Sequence, residues 1–244
     1  MKWFKCECGA SVYFDNTGCL ACGRSLGFAP ELRQMLAFTL PSSQPGSVAE
    51  SQPSATEAQP SSGAAEVPSN PAPPNPGMPV VATDAEGKKH RQCANTAEGV
   101  CNWLVREDDD CPLCVACRLN ETIPDLSIAE NRAKWARLEA AKRRLVFTLT
   151  RLQLEVVPKS EAPDHGLAFD FKADTPALKV FTGHDNGLIT LNIDEADPVR
   201  REQARLSLNE RYRTLLGHLR HESGHYYWDR LIRDDEPLLQ EFRS

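Results

Sequence analysis

The run His221-Glu222-Ser223-Gly224-His225 places two imidazoles four positions apart, with a carboxylate beside the first. On a helix, positions i and i+4 lie one above the other on a single face. Both rings can then reach one zinc ion at about 2.0–2.1 Å. Glu222 lies about 100° round the helix from His221. That makes it a poor ligand, but it is well placed to hydrogen-bond a water at the metal. The pattern points to amide hydrolysis. Zinc polarises the carbonyl, and Glu222 takes the proton of the attacking water and delivers it to the leaving amine.

A catalytic zinc needs a third protein ligand. One common extension of the motif requires glycine at position 228 and histidine at 231; Trp228 and Leu231 stand there instead. Asp229, Asp234, Asp235, Glu236 and Glu241 follow His225, and His218 precedes it on the same helical face. Three ligands stacked on one straight helix surround a tetrahedral ion poorly, which counts against Asp229 and His218. Glu236 and Glu241 need a chain reversal near Pro237.

All nine cysteines fall at or before Cys117. Cys6-x-Cys8 and Cys19-x2-Cys22 have zinc-ribbon spacing, the first pair shortened by one residue. Cys93, Cys101, Cys111, Cys114 and Cys117 form a later set. In it, Cys111-x2-Cys114 and Cys114-x2-Cys117 are both legal knuckles, leaving one thiol spare. The N-terminus lacks the apolar stretch of an export signal, so metal binding is expected rather than disulfides. A redox switch at the spare thiol is the main rival.

These residues must be positioned by unevenly distributed elements. Ten of the 18 prolines lie between Pro41 and Pro79, and no aromatic residue occurs between Phe38 and Trp103. The stretch is too poor in apolar groups to offset the entropy of ordering and reads as a disordered linker. Val12-Tyr13-Phe14 is a short strand candidate. Ser127 with Glu130 reads as a capping box, followed by a helix with an apolar stripe at Leu138, Ala141, Leu145, Leu149 and Leu152. Leu167, Phe169 and Phe171 alternate as in a strand, Val180-Phe181 follows, and a turn is expected at 183–187. Leu188–Ile193 is the strongest strand candidate, with an edge able to pair with an extended peptide. A last helix starts at Asp197-Pro198. Its apolar face continues through Tyr212, Leu215 and Leu219, and its pattern extends to about Arg233.

No stretch approaches the roughly 20 apolar residues of a membrane helix. Residues 1–117 carry 8 Lys/Arg against 13 Asp/Glu. That is a poor match for phosphate backbones, so nucleic acid is not the expected partner.

The chain resembles a bacterial family of zinc-binding metallopeptidases that carry an N-terminal zinc ribbon. The likeness lies in Cys19-Leu-Ala-Cys-Gly with Leu26-Gly-Phe28, Cys101-Asn-Trp-Leu-Val105 and Cys114-Val-Ala-Cys-Arg-Leu-Asn120. It continues in Ile123-Pro-Asp-Leu126, Gly166-Leu-Ala-Phe-Asp-Phe171, Thr182-Gly-His184 and Gly187-Leu-Ile-Thr-Leu-Asn192. Most specific is Leu216-Gly-His-Leu-Arg-His-Glu-Ser-Gly-His-Tyr-Tyr-Trp228. The resemblance implies zinc ligands at His221 and His225 and a catalytic Glu222. It also implies Cys93, Cys101, Cys114 and Cys117 as the second cysteine set, with Cys111 extra. Two departures stand out: the C-x-C pair, where the family has C-x-x-C, and the long linker. In the family the domain runs on past the zinc helix, where the remaining ligand is expected. The chain therefore reads as a shortened version, with apolar surface left open beside that helix.

The expected architecture is α+β. Residues 1–40 form one part of the zinc ribbon, 41–89 the linker, 90–126 the second cysteine cluster, and 127–244 a zincin-like domain. The expected function is zinc-dependent peptide hydrolysis, low or absent in a shortened chain. The alternative is a zinc scaffold that binds a protein partner without catalysis. Zinc is the expected cofactor, a peptide or protein the expected partner, and the cytoplasm the expected location.

Overall fold

In a computed structural model, residues 3–40, 80–207 and 209–244 are described. Most of the expected linker, residues 41–79, lies outside them. Residues 80–89, also assigned to the linker from composition, form a strand, a turn and the start of a second strand.

The cysteine-bearing front is built from short antiparallel pieces. Strands β1 (Trp3–Lys5) and β2 (Ser11–Tyr13) form one hairpin, and β3 (Ser25–Ala29) and β4 (Gln34–Phe38) another. Strands β5 (Val80–Thr83), β6 (Lys89–Gln92) and β7 (Leu104–Arg106) form a three-stranded sheet. The pieces on either side of residues 41–79 are joined directly. The Phe28 N–H donates to the Asn102 carbonyl at 2.9 Å, and Asn102 Nδ2 donates to the Phe14 carbonyl at 2.8 Å.

The back half is a four-stranded sheet with helices. Its strands are β8 (Asn120–Thr122), β9 (Ala168–Lys172), β10 (Gly183–Asp185) and β11 (Leu188–Asn192), in the order β10-β11-β9-β8. β9 pairs in parallel with both β8 and β11, whereas β10 and β11 are antiparallel. The alternation read at Leu167–Phe171 is overridden, because all five residues are buried, as expected of a central parallel strand. β11 is flanked on both sides, so among the described residues the free edge expected at 188–193 belongs to β10 instead.

Helix α1 (Ala129–Arg151) connects β8 to β9 and buries Trp135, Leu138, Ala141, Leu145 and Leu149. Its start differs from the expected capping box. Ile128 is the N-cap residue and supplies no side-chain bond. Ser127 instead donates its N–H to Asp125 Oδ1 at 2.9 Å, a local turn that competes with helix entry. Leu152 falls past the last helical turn and is exposed. Val180 and Phe181 lie outside the strands, and Phe181 is exposed.

The single helix expected from Asp197 to about Arg233 is broken. α2 (Pro198–Ser207) begins as expected, with Asp197 Oδ1 accepting from the Val199 and Arg200 N–H groups. Asn209 then takes a left-handed φ of 52°, and Tyr212 lies exposed in the connection. α3 (Leu215–Leu231) starts afresh at Thr214, and α4 (Glu236–Arg243) is capped by Asp235. Trp228 and Phe242 pack edge to face between α3 and α4, with ring centroids 4.5 Å apart.

Both halves share one core. Phe4, Phe14, Phe28 and Trp103 from the front gather around Phe147 of α1. Phe14 and Phe147 ring centroids are 5.2 Å apart, and those of Phe28 and Phe147 are 5.6 Å apart. Helix α1 is therefore a common wall for both halves.

Candidate metal centres

The first cluster sits on two facing turns. Cys6 and Cys8 follow β1, and Cys19 and Cys22 precede β3. Each turn closes on a glycine in the left-handed region, Gly9 at φ 87° and Gly23 at φ 73°, which only glycine adopts without cost. The Gly9 N–H donates to the Cys6 carbonyl and the Gly23 N–H to the Cys19 carbonyl, both at 2.8 Å. Sγ separations are 3.8 Å for Cys6–Cys22 and 3.7 Å for Cys8–Cys19. All four sulfurs lie within 4.8 Å of one another. A tetrahedral zinc with bonds of about 2.3 Å needs sulfurs about 3.8 Å apart, so the donor set fits zinc. The shortened Cys6-x-Cys8 spacing still brings both thiols inward. Cys8 and Cys22 are exposed, and Cys6 and Cys19 are buried. The Arg24 N–H and guanidinium hold the Cys22 thiol down to about 6, while burial pushes Cys6 up to about 12.

The second cluster contains Cys93, Cys101, Cys114 and Cys117, also within 4.8 Å of one another and all buried. Cys101 and Cys114 sulfurs are 3.7 Å apart. The Cys114 N–H points at Cys93 Sγ (3.3 Å) and the Trp103 N–H at Cys101 Sγ (3.4 Å), donors suited to thiolates. Cys111 stays outside this group. Its N–H is held by Asp109 Oδ1 at 3.0 Å, and its carbonyl accepts from Arg91.

The histidines lie on α3. Thr214 caps the helix, its Oγ1 accepting from the Gly217 N–H at 3.0 Å. Leu219, Ser223, Tyr226 and Tyr227 form the buried face. The two tyrosine hydroxyls anchor it by donating to the His165 and Glu155 carbonyls at 2.8 and 2.7 Å. The opposite face presents His221 and His225 to solvent. Their Nε2 atoms are 3.2 Å apart, with ring planes at 90°. Two nitrogens on one tetrahedral zinc, at about 2.05 Å each, are about 3.3 Å apart. The pair therefore fits two corners of such a site.

Glu222 is half-buried and forms no hydrogen bond or ion pair with the described residues. It lines a cleft of about 780 Å³ together with His221, His218, Arg213, Arg220 and Thr182. On the far side of the pair, His184 of β10 stacks over His225, with ring centroids 6.4 Å apart and planes 12° apart. His184 Nε2 accepts from the Gly187 N–H at 2.9 Å. Burial holds the His184 pKa below its ordinary value.

Among the described residues, no third His, Cys, Asp or Glu joins His221 and His225 within 4.8 Å. The candidates named from sequence are engaged or distant. Asp229 and Asp234 pair with Arg233, both at 3.2 Å. Asp235 caps α4, accepting from the Leu238 N–H at 3.1 Å. Glu236 accepts from Gln240, and Glu241 is exposed on α4. His218 turns Nδ1 towards Glu195, 3.5 Å away.

Sequence reasoning missed two features. The first is the His184 contact, although the Asn186-Gly187 turn that creates it is a strong hairpin signal. The second is the buried pair Glu139–Lys142 on α1, which no local pattern announces.

Comparison with known proteins agrees with this layout. Residues 131–244 match the family described as "Putative zinc-binding metallo-peptidase", and residues 3–61 and 74–128 match a zinc-ribbon domain. Uncharacterized proteins of Mycobacterium tuberculosis and Mycobacterium bovis are 37% identical over 245 residues, covering 100% of this chain. The chain spans 58% of the length of these relatives. No solved structure gives a significant match. Among the described residues, no helix is long and apolar enough to cross a membrane. Residues 131–244 are thus similar to the family described as "Putative zinc-binding metallo-peptidase", and residues 3–61 and 74–128 to the zinc-ribbon domain.

Proposed function

We propose that the protein is a zinc-dependent peptidase in which His221 and His225 hold the catalytic ion and Glu222 acts as general base. The observation that carries this reading is the 3.2 Å approach of the two Nε2 atoms beside a cleft lined by the Glu222 carboxylate, which has no partner among the described residues. A zinc ion there supplies Lewis acidity towards a peptide carbonyl and towards water. Glu222 accepts the proton of the attacking water and returns it to the leaving nitrogen. β10 offers the substrate its free edge, so an extended peptide adds as a further strand above α3. In this reading the two cysteine clusters hold structural zinc, and Cys111 takes no part. The substrate is a peptide or unfolded protein segment. Clustered thiols kept reduced by zinc suit a reducing, cytoplasmic setting.

One observation favours the alternative, a zinc scaffold that binds a protein partner without catalysis: no third donor lies beside the histidine pair among the described residues. Metal content separates the two. The peptidase reading expects a third zinc per chain that is lost in His221→Ala, and peptide cleavage that is lost in Glu222→Gln. Two zinc ions in both wild type and His221→Ala, with no cleavage, would establish the scaffold.

A further inference from the structure

The His184 side chain has no role in the chemistry above, yet the stretch Thr182-Gly183-His184-Asp185-Asn186-Gly187 places it beside the histidine pair. The two-residue turn Asn186-Gly187 makes Asp185 and Leu188 the pair that closes the β10–β11 hairpin. Hydrogen-bonding direction alternates along an antiparallel strand, so the backbone N–H and carbonyl of His184 face the free edge of β10. Its side chain leaves the sheet towards α3, where it packs on His225 and Tyr226.

The ring is also chemically constrained. A backbone N–H can only donate, so the Gly187 N–H at 2.9 Å requires a lone pair on His184 Nε2. The ring proton then resides on Nδ1. That atom has no partner among the described residues and is not sealed in the interior. His184 therefore presents one N–H, with its orientation set by a backbone bond that needs no reorganisation. It is unsuited to ligate metal through Nε2.

We propose that His184 is a catalytic residue: its Nδ1–H donates to the carbonyl oxygen of the scissile peptide bond as negative charge develops there. The proposal rests on the peptidase reading, since a peptide paired to the edge of β10 would run past His184 and the histidine pair of α3. A donor fixed in advance and aimed at developing charge stabilises the transition state more than the ground state.

Three measurements on the zinc-loaded chain test it. Long-range ¹⁵N NMR should show His184 as the Nδ1–H tautomer at neutral pH; an Nε2–H tautomer or a doubly protonated ring overturns the proposal. In cleavage of a fluorogenic peptide library, His184→Leu should lower kcat about 100-fold or more, with KM within about twofold and zinc content unchanged. His184→Asn places an amide nitrogen near the Nδ1 position and should recover at least about tenfold. Unchanged kcat in His184→Leu refutes a catalytic role, and loss of one zinc makes His184 a ligand instead. If wild type shows no cleavage that depends on Glu222, the peptidase reading fails separately. Binding of a phosphinic pseudopeptide flanked by alanines then decides for His184: about tenfold weaker binding in His184→Leu supports the donor, and equal binding overturns it.

Discussion

The Cys117 sulfur lies 4.0 Å from Oε2 of Glu139, so the second cysteine cluster touches the middle of α1. The other carboxylate oxygen accepts from Trp135 Nε1 at 3.0 Å, Asn120 Nδ2 at 2.9 Å and Lys142 Nζ at 2.8 Å. Lys142 lies over the rings of Phe169 and Phe171, 5.6 and 5.3 Å from their centroids. A fully buried ion pair thus links the cysteine cluster to the central strand β9. Removing one partner of such a pair strands a charge, at about 3–5 kcal/mol, whereas replacing both is often near neutral. Lys142→Met should therefore cost about that much in urea unfolding, and Glu139→Gln with Lys142→Met should recover most of it. A double variant as unstable as Lys142→Met would show that the cost is packing, not the uncompensated carboxylate.

The two cysteine clusters should release metal at different rates. Cys8 and Cys22 of the first are exposed, while Cys93, Cys101, Cys114 and Cys117 are all buried. A chelator can attack the first in the native state, but reaches the second only through an opening of the shared core. In His221→Ala, where only the cysteine clusters hold metal, excess chelator with a zinc dye should resolve a fast and a slow phase. The slow phase should accelerate with urea, and Cys22→Ser should remove only the fast one. A single phase indifferent to Cys22→Ser would refute the contrast.

The grouping of the cysteine and histidine side chains is legible in the sequence, because it depends on short spacings. The His221–His225 pair lies one helical turn apart, and the cysteine knuckles need only tight turns. The Asp197 cap and strand 188–192 also follow local rules. What remained hidden depends on tertiary burial. Leu167–Phe171 alternates as an amphipathic strand would, yet all five residues are buried, in a strand whose two edges are paired with β8 and β11. Ser127 looked like a cap until Asp125 captured its N–H. The break between α2 and α3 turns on a left-handed Asn209, which helix periodicity does not register. His184 reaches His225 only once the hairpin has folded back over α3, 41 positions away in sequence.

Acid should loosen the β5–β6 hairpin through one carboxylate. Asp84 Oδ2 accepts from His90 Nε2 at 3.1 Å, and its Oδ1 accepts from the Glu86 and Lys88 N–H groups, both at 2.9 Å. The His90 bond, helped by the two backbone donors, holds the Asp84 pKa below its ordinary 3.8. A carboxylate depressed on folding contributes stability that is fully present above 3.8 and is lost as pH falls through the folded value. Urea midpoints of wild type and Asp84→Asn should therefore differ at pH 6, and the gap should close as pH falls through the depressed folded value, below 3.8. A gap that persists unchanged into acid would rule out ionisation as its source.

Gly187 should tolerate no side chain. It follows Asn186 (φ 43°) at φ 83°, the pairing a tight two-residue hairpin turn demands. A Cβ there would also collide with the Gly166 carbonyl oxygen, part of a backbone that cannot yield cheaply. Positive φ alone costs an alanine about 1–3 kcal/mol, so the clash should take Gly187→Ala beyond that range. The variant should also displace the N–H that holds His184. Gly183→Ala, on the same hairpin, is a matched control, since its Cβ meets nothing within 4 Å. Thermal unfolding should place Gly183→Ala near wild type and Gly187→Ala far below it, with the His184 ¹⁵N signals of Gly187→Ala showing mixed tautomers. Equal melting of the two variants would mean that neither the turn geometry nor the Gly166 contact limits this position.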